Sequence, residues 1–180
     1  MTIYSSDLYF SHLIQKINFV PLKAYILFIS TIGNFFPLFI ILLLLTLYIN
    51  KSGHKKASVY LFLSTSIGVL ISTFLKIIIA RPRPTSDLVD VVVKLKDFSF
   101  PSGHCVSFTV LFGFLYYYLT IYYKDNSYSK LIRLLLLVLI ASVGFSRIYL
   151  GAHWLTDCLS GYLLGAVILF TTIKLFKNER

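Results

Sequence analysis

Residues 57–84 read ASVYLFLSTSIGVLISTFLKIIIARPRP. From Ala57 to Leu75 no side chain carries a charge, then comes one lysine, a second apolar run, and two Arg-Pro pairs. A helix over Ala57–Ala80, at about 1.5 Å per residue, is about 36 Å long, enough to cross a hydrocarbon core of about 30 Å. Arg81-Pro82-Arg83-Pro84 then stops it, because proline lacks the N–H that a helix interior needs and pushes the preceding residue toward extended backbone. Lys76 is the anomaly, a cation about one turn inside the end of an otherwise uncharged span.

The same pattern extends in both directions. Ala24–Asn50 and Cys105–Tyr123 contain no ionisable side chain other than cysteine or tyrosine. Hydrophobic residues make up 57% of the chain and charged residues 13%, where soluble domains run nearer a quarter charged, and the mean hydropathy is +0.81. The apolar residues come in blocks, where a soluble amphipathic helix would show a stripe. These features predict an all-α integral membrane protein, residues 1–180 forming a single membrane domain with a motif-bearing core at 57–176. About five transmembrane helices are expected: Leu22–Asn50, bent near Gly33 or Pro37; Ala57–Ala80; His104–Tyr123; Leu131–Phe145; and His153–Leu175. Tyr4–Val20 is too polar to span and reads as an interfacial helix with Leu8, Leu13, Ile14 and Ile17 on one face, ended near Pro21; a sixth span from residues 4–21 is the less favoured alternative. Tyr116, Tyr117, Tyr118, Tyr122 and Tyr123 read as an aromatic belt, and Gly161 and Gly165 have the spacing that lets two membrane helices approach closely.

The formal charge of +10 is not gathered into a patch, so nucleic acid is not an expected partner; the cations sit at the ends of apolar runs, where phospholipid head groups lie. Cys105 and Cys158 fall inside predicted helices and read as small buried side chains. The first twenty residues lack the basic start and apolar centre of a secretory signal, so insertion is expected to rely on the spanning helices. On one side of the membrane fall Lys51, Lys55, Lys56, Lys124, Lys130, Arg133, Lys174, Lys177 and Arg180, against Asp125 and Glu179; the other side carries eight cations with five aspartates. The positive-inside rule makes the first side cytoplasmic. Lys76, Arg81, Arg83 and Arg147 then collect on the outer face, and the expected location is a bacterial cytoplasmic membrane with its active site toward the periplasm or exterior.

At that face three helix ends meet: Lys76 with Arg81 and Arg83, Pro101-Ser102-Gly103-His104, and Ser146-Arg147 followed by His153 and Asp157. An ionisable group at mid-membrane costs roughly 2.5–3.5 kcal/mol, so a cluster of them asks for a use. Phosphate is the natural ligand: arginine offers a planar fork of donors, lysine a compact charge, Ser102 a hydroxyl, and Gly103 close backbone approach. The i, i+4 spacing of His153 and Asp157 puts both on one helical face, where the carboxylate can keep one ring nitrogen protonated and leave the other to attack phosphorus. His104 can supply the proton that the leaving oxygen needs.

Lys76-(six residues)-Arg83-Pro84, Pro101-Ser102-Gly103-His104 and Ser146-Arg147-(five residues)-His153-(three residues)-Asp157 together resemble the three-part motif of the type 2 phosphatidic acid phosphatases. All eleven defined positions are present in order. The same motif marks the vanadium-dependent haloperoxidases, larger soluble proteins that five apolar spans argue against. The resemblance implies a core helical bundle and metal-independent hydrolysis of a lipid phosphate or diphosphate through a phosphohistidine. It implies catalytic roles for His153 as nucleophile, His104 as acid and Asp157 as the residue that orients His153, with Lys76, Arg83, Ser102, Gly103 and Arg147 holding the phosphate. No metal and no cofactor are expected. Arg81 lies outside the core motif, and Ala80 stands where a glycine is common, a change expected to be without consequence. The family acts on undecaprenyl diphosphate, phosphatidylglycerol phosphate, phosphatidic acid and lipid A phosphates, so the expected partners are a phosphorylated lipid and the surrounding membrane. A lipid transporter is the rival reading; it would account for the buried cations but not for the histidine and aspartate spacings.

Overall fold

A computed structural model describes residues 5–124 and 126–179 of the chain. Among the described residues there are seven helices and no strand: α1 (Ser5–Gln15), α2 (Val20–Ile32), α3 (Phe35–Lys51), α4 (Lys55–Ile79), α5 (Gly103–Tyr122), α6 (Ser127–Tyr149) and α7 (Leu155–Asn178). Tyr4, Asp125 and Arg180, which entered the reading of the first helix and the charge count, lie outside the described residues.

Helices α4 to α7 are each long and apolar enough to cross a membrane, and α2 with α3 make a fifth apolar pair bent by 69°. The chain is thus an integral membrane protein with four continuous apolar spans, or five if the bent pair crosses as one. The expected single helix from Leu22 to Asn50 is corrected to two. The break falls at Gly33 and Asn34, where Asn34 is extended (φ −68°, ψ 155°). Pro37 does not cause it: it sits in the first turn of α3, where its missing N–H has no intrahelical partner to lose.

The ends of α6 and α7 also shift. Span four runs to Tyr149, past the expected Phe145, and α7 begins at Leu155, two residues beyond His153. Helix α5 is the buried centre, packed against α4, α6 and α7. Its seam with α7 depends on glycines: a Cβ at Gly161 would lie 2.6 Å from the Ser102 carbonyl oxygen, and one at Gly165 would lie 2.7 Å from Thr109 Cβ. Cys105 and Cys158 are buried free thiols within this core. At the end away from the site, Tyr118 is buried and Tyr122 and Tyr123 half-buried. There the His54 ring lies against those of Tyr118 and Tyr122, and His54 Nδ1 is 2.7 Å from Tyr118 Oη. The tyrosines therefore pack inward around the α3–α4 turn more than they form a lipid-facing belt.

Helix α1 is short, eleven residues, and does not span. It packs against α6 and α7. Leu13 and Ile17 are exposed, while Asp7 and Ser11 are buried. The α1 helix therefore turns apolar side chains outward, where an interfacial helix meets lipid, and inserts a carboxylate into the protein.

Candidate active site

Helix α4 ends in a left-handed residue, Ala80 (φ 47°), whose N–H bonds to Lys76 O. Glycine would adopt this conformation freely, whereas the Cβ of Ala80 at positive φ carries strain. The chain then runs through residues 81–102 and back to the bundle, held by backbone bonds from Ser99 N to Arg81 O (2.9 Å) and from Ser102 N to Asp157 O (3.0 Å). The α6–α7 turn folds over the end of α6, with His153 N bonded to Arg147 O (3.2 Å). All three motif segments are thereby tied to one end of the bundle.

His153 does not share a helical face with Asp157. It precedes α7, and Asp157 lies in the first helical turn, accepting from Trp154 N at 2.9 Å. Their contact survives this change: His153 Nδ1 is 3.5 Å from Asp157 Oδ2. The same carboxylate oxygen accepts a short bond from Ser99 Oγ, itself 3.5 Å from His153 Nδ1. On the other edge of the ring, Nε2 is 3.2 Å from Arg83 Nη1. Burial, followed by the charges of Arg83, Arg147 and Lys76, pushes the His153 imidazole well below its usual range. The imidazole thus has a carboxylate near one nitrogen and a guanidinium near the other.

Arg81, placed outside the motif by sequence, is completely buried and occupies the middle of this network. Nη1 donates to Asp157 Oδ1 and Nη2 to Asp7 Oδ2, the latter at 2.6 Å. Asp7 also accepts from Thr156 N (2.9 Å) in the first turn of α7, so it meets both an arginine and a helix N-terminus. A chain Asp7–Arg81–Asp157–His153 thus runs from the interfacial helix to the imidazole.

Lys76 and Arg83 face one another across Asp97. The Asp97 carboxylate is 3.2 Å from Lys76 Nζ and 2.6 Å from Arg83 Nη2, and it is 55% exposed. Burial alone would raise its carboxyl, but Lys76 and Arg83 outweigh that and hold it below the usual carboxylate range. Lys76 also donates to Phe98 O (2.6 Å), and Arg83 Nη1 to Ala152 O.

His104 and Arg147 meet through a residue of α2. His104 Nε2 is 3.1 Å from Ser30 O, and Arg147 Nη1 donates to Ser30 Oγ. Ser102 ends the loop as the N-cap of α5, and Gly103 begins the helix. Ser102 Oγ and Arg147 Nε are buried without a hydrogen-bond partner among the described residues. Such donors are costly to leave unmade, and here two of them belong to residues expected to hold phosphate.

All eight expected residues therefore lie at one end of the bundle. Arg83, His153 and Asp157 touch directly; Lys76 joins them through Asp97; His104 and Arg147 share Ser30; Ser102 is tied to Asp157 through the backbone. Missed were Asp7, Ser30, Asp97 and Ser99. Among the described residues no group of three or more His, Cys, Asp and Glu is arranged to hold a metal ion.

Helical spans carrying buried cations, two histidines and a carboxylate at a single end define the class of the chain, a helical membrane protein with a polar cluster at one end of its bundle. The chain belongs to the PAP2 superfamily, whose family model matches residues 57–180. It is 35% identical over 111 residues to phosphatidylglycerophosphatase B of Bacillus subtilis, covering 61% of this chain and 53% of that protein. It is 27% identical over 124 residues to an undecaprenyl-diphosphatase of Sulfolobus acidocaldarius, covering 67% of this chain and 56% of that protein. The chain thus spans about half the length of these curated relatives. The crystal structure of a transmembrane PAP2-type phosphatidylglycerolphosphate phosphatase from Bacillus subtilis superposes with a TM-score of 0.86 at 25% identity, covering 98% of this chain and 87% of that one.

Proposed function

We propose that this protein is a lipid phosphatase that hydrolyses a lipid phosphate or diphosphate through a phosphohistidine at His153. The observation that carries the reading is the environment of that imidazole: Nδ1 faces Asp157 and Ser99, while Nε2 lies 3.2 Å from Arg83. With Nδ1 protonated toward Asp157, the Nε2 lone pair points to where the cations would bind a phosphate. Nε2 attacks phosphorus, the bond from phosphorus to the lipid oxygen breaks, and His104 gives that oxygen its proton. Water then attacks the phosphohistidine, His104 recovers a proton from it, and inorganic phosphate leaves with His153 restored. Lys76, Arg83 and Arg147, the Ser102 hydroxyl, and the backbone at Gly103 would hold the phosphate oxygens.

The relatives' names, phosphatidylglycerophosphatase and undecaprenyl-diphosphatase, support phosphatidylglycerol phosphate and undecaprenyl diphosphate as candidate substrates, beside phosphatidic acid and lipid A phosphates. The cation balance, nine lysines and arginines with two acids against eight with five aspartates, supports a site on the outer face. An apolar groove of about 240 Å³ between α3 and α4, lined by Phe35, Leu38, Leu42, Thr65, Val69 and Leu70, has the character to take a lipid tail. The test is phosphate release by purified protein in detergent with EDTA, beside His153→Ala, across these lipids. Release by the parent alone, with acid-labile label trapped on the protein, supports the reading. A folded parent that releases nothing, or that needs added Mg²⁺ or Zn²⁺, refutes it.

A further inference from the structure

The break between α2 and α3 frees a carbonyl. In a continuous helix Ser30 O would accept from Asn34 N–H, but here Asn34 N turns to Thr31 O (3.1 Å) and Gly33 N to Ile29 O (3.3 Å). Ser30 O is one of the terminal carbonyls that a helix leaves without a partner, and His104 Nε2 takes it at 3.1 Å. The Ser30 hydroxyl, on the same residue, accepts from Arg147 Nη1. Two candidate site residues from different helices, α5 and α6, thus converge on one buried serine of a third.

Gly33 sets how close this approach is. A Cβ there would lie 2.1 Å from His104 Cδ2 and 2.8 Å from Nε2, so only glycine lets the imidazole reach the Ser30 carbonyl. Its φ of −79° is open to any residue, so space and not backbone freedom calls for glycine. The helix end adds its field: the C-terminus of α2 carries the negative end of its dipole, which favours a ring N–H and a guanidinium beside it. Ser30 and Gly33 both lie outside residues 57–180, the stretch that the family model matches.

We infer that the broken C-terminal turn of α2, Ser30 to Gly33, is a positioning element of the active site. It holds His104 by Nε2 so that Nδ1 carries the proton to the leaving oxygen, and it holds Arg147 by the Ser30 hydroxyl so that the rest of the guanidinium meets phosphate. The inference rests on the proposed role of His104 as acid.

Leaving groups separate this from a structural role. An alkyl phosphate needs the acid, whereas p-nitrophenolate departs without a proton. For Gly33→Ala the expected result is a fall in kcat/KM, which reports phosphoryl transfer to His153 and not the later hydrolysis, of about 100-fold or more on a short-chain phosphatidic acid, in line with the contribution of a general acid. On p-nitrophenyl phosphate the fall in kcat/KM should stay within about 5-fold, and His104→Ala should show the same pattern. Ser30→Ala keeps the carbonyl and loses only the hydroxyl, so it should weaken inhibition by orthovanadate about 10-fold, as expected for a bond to a charged group, with little change in the leaving-group pattern. Equal losses on both substrates in Gly33→Ala, or none on either, overturn the inference for His104. An unchanged vanadate response in Ser30→Ala overturns it for Arg147. A folded parent inactive on every phosphate ester overturns the proposed function, and this inference with it.

Discussion

Replacing Arg81 by methionine should damage the protein more than any loop cation can explain. Arg81, Asp7 and Asp157 are all completely buried, so solvent does not screen their pairs. Methionine keeps much of the volume but leaves two buried carboxylates without their cation. Removing one partner of a buried ion pair costs about 3–5 kcal/mol. At roughly 2–4 °C per kcal/mol for a chain of this size, the apparent melting temperature in detergent should fall by roughly 6–20 °C. Asp7→Asn should cost less, about 1.5–3 kcal/mol, because Arg81 keeps Asp157 and the amide oxygen can still accept from Thr156 N. In the double variant Asp7→Asn/Arg81→Met one stranded charge has been removed, so the two losses should fall short of their sum by about 1 kcal/mol or more. The assay is thermal unfolding of all four proteins in one detergent, followed by tryptophan fluorescence, since Trp154 donates to Pro82 O at 3.2 Å beside Arg81. Arg81→Met within about 0.5 kcal/mol of the parent, or strict additivity, would refute the argument that this arginine joins α1 to the α7 turn.

Three further outcomes follow from the site. Because burial and the neighbouring cations depress His153, the acid limb of kcat/KM should lie below the unperturbed imidazole value of about 6.5, once the substrate's own ionisation near pH 6 is allowed for. Activity is lost only as pH falls through the depressed value, and a limb at or above 6.5 would contradict a neutral nucleophile. Asp97→Asn removes the half-exposed carboxylate that bridges Lys76 and Arg83; KM and the inhibition constant for inorganic phosphate should fall about 3–10-fold, the size expected of two partly exposed ion pairs, whereas a rise would make Asp97 an organiser of the two cations. Ala80→Gly relieves a Cβ at φ 47°, and thermal unfolding should show a gain of up to about 1 kcal/mol, glycine's greater freedom in the unfolded chain offsetting part of the relief; a loss would show that the alanine is unstrained.

The spans were legible because bilayer thickness imposes long uncharged runs, and the motif residues were legible because cations and histidines are conspicuous in such runs. What the sequence hid was pairing between distant polar residues. Asp7 stands 74 positions before Arg81 in a segment that reads as amphipathic, and nothing in its neighbours says that the polar face turns inward. Ser30 sits in an apolar run, where a serine is unremarkable, and its importance comes from a carbonyl that only the break at Gly33 releases. Arg81 resembled Arg83 in kind and context, yet one is sealed within the protein and the other meets Asp97 at the surface. The i, i+4 spacing of His153 and Asp157 led to the right contact through the wrong geometry. Asp157 is in the first turn of α7 and His153 precedes it, so the carboxylate reaches back along the chain to the imidazole.

These pairings divide the charge around His153 into two unequal sides. Beyond Nδ1 lie Asp157, Arg81 and Asp7, two carboxylates about one guanidinium, with a surplus of one negative charge. Toward Nε2 lie Arg83, with Lys76 and Arg147 within electrostatic reach, and Asp97 as their half-exposed counter-charge. Such a gradient favours the proton on Nδ1 and the lone pair on Nε2, the form that the proposed attack on phosphorus requires. It also gives Arg81 a role that phosphate binding would not. Without Arg81 the two carboxylates would present twice the negative charge to Nδ1, which opposes the depression that burial and the cations Arg83, Arg147 and Lys76 impose on the imidazole. With Arg81 in place Asp157 can orient the ring while that depression stands. A completely buried arginine that faces away from the phosphate site is therefore as much a part of the proposed chemistry as those that face it.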